Sequence, residues 1–139
     1  MLLAVTVGAC SNQAPVTCAA GDITANTWSL VSYGTPGRLM SLVAGTQITL
    51  NFLSDGARVA GSAGCNAYFG ASQIDTKTCG LKFDSISATE RGCAQVIMDQ
   101  EQKYLALLQT AQRYSLTADG LRIVCGKEEL NFVPYVETP

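Results

Sequence analysis

One run of small residues constrains this chain more than any other feature: Gly61-Ser62-Ala63-Gly64-Cys65-Asn66-Ala67-Tyr68-Phe69-Gly70. It follows directly on a strand-like stretch at residues 56–60. Glycine tolerates positive φ and lets backbones approach closely, so the cluster marks a sharp bend, a bulge or a tight crossing. A second signal comes later, Thr89-Glu90-Arg91-Gly92-Cys93, ahead of a helix-like stretch at residues 99–112.

Around these two runs the chain reads mostly as strands. Residues 27–33 have strand composition and end at Gly34-Thr35-Pro36-Gly37, a strong turn signal. Residues 46–52 alternate, with Ile48, Leu50 and Phe52 on one face and Gln47, Thr49 and Asn51 on the other. Ser54-Asp55-Gly56 then turns the chain into residues 57–60, which predicts a hairpin. Further strands are expected at residues 68–74 and 79–87, the second with Cys79, Leu81 and Phe83 on one face. Three closing strands follow at residues 113–117, 121–125 and 129–135. In the single helix Asp99 serves as N-cap and Gln102 completes a capping box, while Tyr104, Leu105, Leu108 and Ala111 recur at helical spacing. The expected fold class is α+β: mostly antiparallel β, a strongly curled or barrel-like sheet with one packed α-helix.

The two runs together, G-x-x-G-C-N-x-Y-x-G (Gly61, Gly64, Cys65, Asn66, Tyr68, Gly70) and T-x-x-x-C (Thr89, Cys93), precede an E-x-x-Y-L helix at Glu101, Tyr104 and Leu105. In that order they resemble the META domain family, the HslJ-type bacterial lipoproteins, over residues 28–135. The sequence departs from the usual pattern at Ala67 and across Glu90, Arg91 and Gly92. The resemblance implies a curled sheet with one helix and an address in the cell envelope, and it brings no established reaction.

The N-terminal residues agree with such an address. Residues 1–10 are apolar and end in small residues, like the late part of a secretory signal, and are too short to span a bilayer. Val7-Gly8-Ala9-Cys10 resembles a bacterial lipobox, which makes Cys10 the lipidation site. Residues 11–26 read as a polar tether joining an anchor to a META-like domain at residues 27–136.

Six cysteines in 139 residues behind a signal-like segment point to an oxidising compartment. The resemblance places Cys65 and Cys93 at its two motif positions and so implies a disulfide between them. Cys79 and Cys125 both alternate onto apolar faces, where they form either a second disulfide or two buried thiols. Cys18, in the tether, is assigned the place left over, with bonds to Cys125 or Cys79 as alternatives. The rival reading makes the cysteines chemical, as a nucleophile beside Asn66 or as ligands of a soft metal. No C-x-x-C occurs in the chain, and structural cysteines are the reading adopted.

Composition removes whole classes of function. There is no histidine, which excludes Ser-His-Asp and Cys-His catalysis and His-ligated zinc. A formal charge of −2 with scattered Lys and Arg gives no electrostatic case for nucleic acid. No glycine loop fits a phosphate cradle, and no carboxylate pair stands out as acid and base. Asn66 is read as bonding backbone in its own turn, and Glu101 and Lys103 as lying on the wet side of the helix. No catalytic residue, cofactor or metal is expected. The expectation is a lipid-anchored, non-enzymatic cell-envelope protein, linked to envelope integrity or stress tolerance through an unknown partner. Two alternatives stand beside it: a small-molecule-binding module using the mouth of the curled sheet, and a thiol-dependent enzyme or soft-metal carrier.

Overall fold

The structure, a computed structural model, describes Cys18 and residues 21–137 of the chain; residues 1–17, with Cys10 and the lipobox-like run, lie outside the described residues. Among the described residues nine strands and one α-helix form in the order β1 (Thr27–Thr35), β2 (Arg38–Ser41), β3 (Thr49–Leu53), β4 (Arg58–Ser62), β5 (Ala67–Asp75), β6 (Gly80–Ala88), α1 (Gln95–Gln109), β7 (Arg113–Thr117), β8 (Gly120–Cys125) and β9 (Glu128–Pro134). Each strand in the series from β3 to β9 pairs antiparallel with the next. β1 pairs with β3 on one edge and with β9 on the other, so the sheet closes into a ring. Apolar side chains from every wall fill it, among them Trp28, Leu50, Val59, Tyr68, Leu81, Ile123 and Phe132. Closure removes sheet edges, and alternation along each strand sends one set of side chains inward.

The ring is thinnest between β6 and β7, whose only register pair is Gly80 with Arg113. The antiparallel strands meet at their first residues and run apart from there. Other elements line the gap on both sides. Helix α1 packs on β6, and on the other side the Leu116 N–H donates to the carbonyl of Cys18. A disulfide joins Cys18 to Cys79 in the β5–β6 turn and fixes the N-terminal segment at this seam.

Several sequence expectations change here. The tether expected over residues 11–26 ends sooner: Cys18 is crosslinked, Ile23 is buried in a 3-10 turn, and the Trp28 Nε1 donates to the Ile23 carbonyl. Of the pairings left open, the alternative Cys18–Cys79 bond is the one that forms, so Cys79 and Cys125 are not joined and Cys125 is a buried free thiol. Burial and the nearby Glu128 carboxylate push that thiol up to about 12. The helix starts at Gln95, with Ala94 as an N-cap that makes no side-chain bond. Asp99 therefore lies inside the first turns, where it accepts from Gln95 Nε2. β2 was not foreseen, because its residues are exposed on both faces and show no alternation.

Candidate functional site

The polar residues of the two sequence runs gather at one end of the ring, under α1. The chain reverses there between β4 and β5, and Gly61 and Gly64 make that path possible. A Cβ on Gly61 would overlap the carbonyl oxygen of Thr49 on the neighbouring strand. Gly64 has φ +112, a conformation that L side chains rarely adopt, and faces the Gln100 amide. Gly70 lies in β5 where its register with β6 shifts, between Phe69 and Ala71.

Glu101, expected on the wet side of the helix, is only 5% exposed. Its Oε2 accepts from the backbone N–H groups of Cys65 at 3.0 Å and Asn66 at 2.6 Å. Its Oε1 accepts from the Asn66 side-chain amide at 2.6 Å. A buried carboxylate is costly unless hydrogen-bonded, and these three donors meet that requirement. Asn66 does more than stabilise its own turn. Its Oδ1 accepts from the Arg91 N–H at 2.6 Å and from the Thr89 hydroxyl at 3.0 Å, and its Nδ2 also donates to the Arg91 carbonyl at 3.3 Å. One asparagine thus ties together the bend, the loop before the helix and the helix itself. The Thr89 hydroxyl in turn accepts from the Ala67 N–H, which extends the β5–β6 pairing.

Two further contacts repeat the pattern. Gln100 is buried, accepts from the Val43 N–H at 2.7 Å and donates to the Thr46 hydroxyl at 3.0 Å, fixing the β2–β3 connection. The Tyr68 and Tyr104 hydroxyls meet at 2.7 Å with their rings edge-to-face. Tyr68 donates its one proton to the Thr49 carbonyl, so Tyr104 donates to Tyr68. Burial holds both phenols well above the ordinary tyrosine range. Lys103, also placed on the wet side, is exposed and pairs with Glu128 at the start of β9.

Cys65 and Cys93 are joined by the second disulfide, which crosses from the bend to the loop before α1. The motif residues other than Gly70 therefore lie at or beside one junction of bend, loop and helix. Among the described residues every buried side-chain nitrogen and oxygen has a partner, and none of their His, Cys, Asp and Glu side chains cluster as a metal site. Chemically, the arrangement is a clasp. Sequence reasoning underrated Glu101, yet its signal was present: Glu101 lies three positions before Tyr104, on the helix's buried face.

Away from this end, an open groove of about 1080 Å³ is lined by residues including Gly56, Ser72, Ile74, Lys77 and Leu81. No helix among the described residues is long and apolar enough to cross a membrane.

Comparison with known proteins places the architecture. The chain superimposes on an NMR structure of a protein from Burkholderia xenovorans with a TM-score of 0.68 at 22% identity, covering 81% of this chain and 83% of that one. A crystal structure of a DUF4847 family protein from Bacteroides vulgatus matches with a TM-score of 0.57 at 15% identity, covering 79% and 92% respectively. At such identities the likeness concerns the fold alone. No curated protein matches the chain. The family model for the META domain matches residues 21–137, so it includes the 3-10 turn ahead of β1 as well as the ring, and the chain belongs to the META domain family.

Proposed function

We propose that this protein is exported and lipid-anchored through Cys10 in the cell envelope, where its META domain acts by binding a partner and not by catalysis. The observation that carries the reading is the pair of disulfides, Cys18–Cys79 and Cys65–Cys93, since such crosslinks persist in oxidising compartments. The lipobox-like Val7-Gly8-Ala9-Cys10 supports the anchor. The non-catalytic part rests on the clasp, whose Glu101, Asn66 and Thr89 spend their hydrogen-bonding capacity on each other and on backbone. A barrel interior occupied by aromatic and aliphatic side chains also speaks for a partner met at the outer surface over a ligand held in the mouth. A role in envelope integrity or stress tolerance follows the resemblance to HslJ-type proteins.

The test is fractionation and intact mass of protein expressed from its full native start. Wild type should carry acyl chains on Cys10 and sediment with membranes, and Cys10→Ser should be released in soluble form. Each buried methylene adds about 0.8 kcal/mol of membrane affinity, so the loss should be near complete. Unmodified Cys10 on mature wild type would overturn the anchor.

A further inference from the structure

The two disulfides differ in access. Cys18 and Cys79 are buried, at 7% and 5% exposure. Cys65 is half-buried, while Cys93 is exposed within a loop exposed from Thr89 through Ala94. Exchange requires a thiolate to reach one sulfur, so exposure separates labile crosslinks from inert ones. Beside Cys93, the position of a Gly92 Cβ has nothing within 4 Å, so an adduct has room.

The bend does not depend on this bond alone. Asn66 holds Thr89 and Arg91 directly, and Glu101 holds the Cys65 and Asn66 N–H groups. None of these hydrogen bonds runs through either sulfur, and only the few residues between Arg91 and the helix start lie between them and α1.

We propose that Cys65–Cys93 is a thiol-exchange site, with Cys93 the sulfur that takes up a low-molecular-weight thiol. The incoming thiolate bonds to Cys93 Sγ as the Cys65–Cys93 bond breaks. The bonding pair leaves on Cys65 Sγ, which takes a proton from water. In reverse, the Cys65 thiolate attacks Cys93 Sγ and expels the small thiol. Exchange consumes no other oxidant or reductant, and the inference is independent of the lipid anchor.

The experiment is exposure of the native, oxidised protein to glutathione, followed by alkylation and peptide mapping without reduction. The expected result is glutathione on Cys93, an alkylated Cys65, and opening at least about tenfold faster than that of Cys18–Cys79. The mixed-disulfide protein should still melt cooperatively. In a second arm the probe is oxidised glutathione, whose S–S bond breaks as a protein thiolate bonds to one half and the other half leaves as glutathione thiolate. Cys65→Ala should hold glutathione stably on Cys93, and Cys93→Ala should react much more slowly at Cys65. Opening of both disulfides together, opening only with loss of the cooperative transition, or glutathione found on Cys65 would each overturn the proposal. Should either variant fail to fold, the wild-type map decides alone.

Discussion

The carboxylate of Glu101 and the backbone N–H of Asn66, 35 positions apart in sequence, meet at 2.6 Å. That contact brings a glycine-rich bend, a threonine, a pair of cysteines and a helix together in this chain. The bend presents N–H groups that its own tight geometry leaves without strand partners. The helix supplies the acceptor, and Asn66 relays the tie to the loop at Thr89 and Arg91.

The glycine at the bend is expected to be architectural. Gly64→Val places a β-branched residue at φ +112, against Gln100, and should destabilise by roughly 1–3 kcal/mol. Gly92→Ala is the matched control, because a Cβ there meets open space. Thermal melts of the two variants check this, and equal melting temperatures would show that the bend tolerates side chains.

Losing the disulfides should cost stability that rises slowly, as the logarithm of the loop each one closes. Cys18–Cys79 spans 61 positions and Cys65–Cys93 spans 28. The unfolded-chain model gives losses of about 4.3 and about 3.6 kcal/mol respectively. Cys65→Ala/Cys93→Ala should cost little more than the worse single change, since both delete one crosslink. Denaturant melts of single and double variants measure this, and additive losses would argue against a shared bond.

Alkaline pH should unfold the protein through its buried acids. Burial makes Tyr68, Tyr104 and Cys125 all titrate higher in the folded state than the ordinary values of 10.0, 10.0 and 9.0 for these side chains. A raised folded value means that the folded state keeps protons which the unfolded state releases. The stability this gives is fully present below pH 9 and falls as pH rises, from pH 9 to about 12 for Cys125 and above pH 10 for the tyrosines. Phenolate absorbance from the two buried tyrosines should therefore appear together with the loss of far-ultraviolet circular dichroism. Ionisation of both at ordinary phenol pH, with the fold intact, would contradict the burial argument.

Much of the ring was legible because local pattern and tertiary burial agree. The alternation through Ile48, Leu50 and Phe52 and the turn at Ser54-Asp55-Gly56 both mark features seen in the fold. What stayed hidden depends on contacts distant in sequence. Nothing local to Cys18 reveals that Cys79 is its partner, so a crosslinked segment reads as a tether. Asp99 has the composition of a cap, but the helix begins upstream at Gln95, behind an Ala94 N-cap that makes no side-chain bond. Glu101 reads as a surface charge because its three donors come from a bend far upstream in the chain.

The central claim is that the motif is a clasp holding the helix to the ring, and a double-mutant cycle between Asn66 and Glu101 tests it most directly. Glu101→Gln sets an amide among donors, and Asn66→Ala removes the relay to Arg91 and Thr89. Each should cost about 2–4 kcal/mol in denaturant melts, because buried partners are left unpaired. The double variant should cost less than the sum by about 1–3 kcal/mol, the coupling expected for residues in one network. Small, additive losses, with the helix still docked, would contradict the clasp.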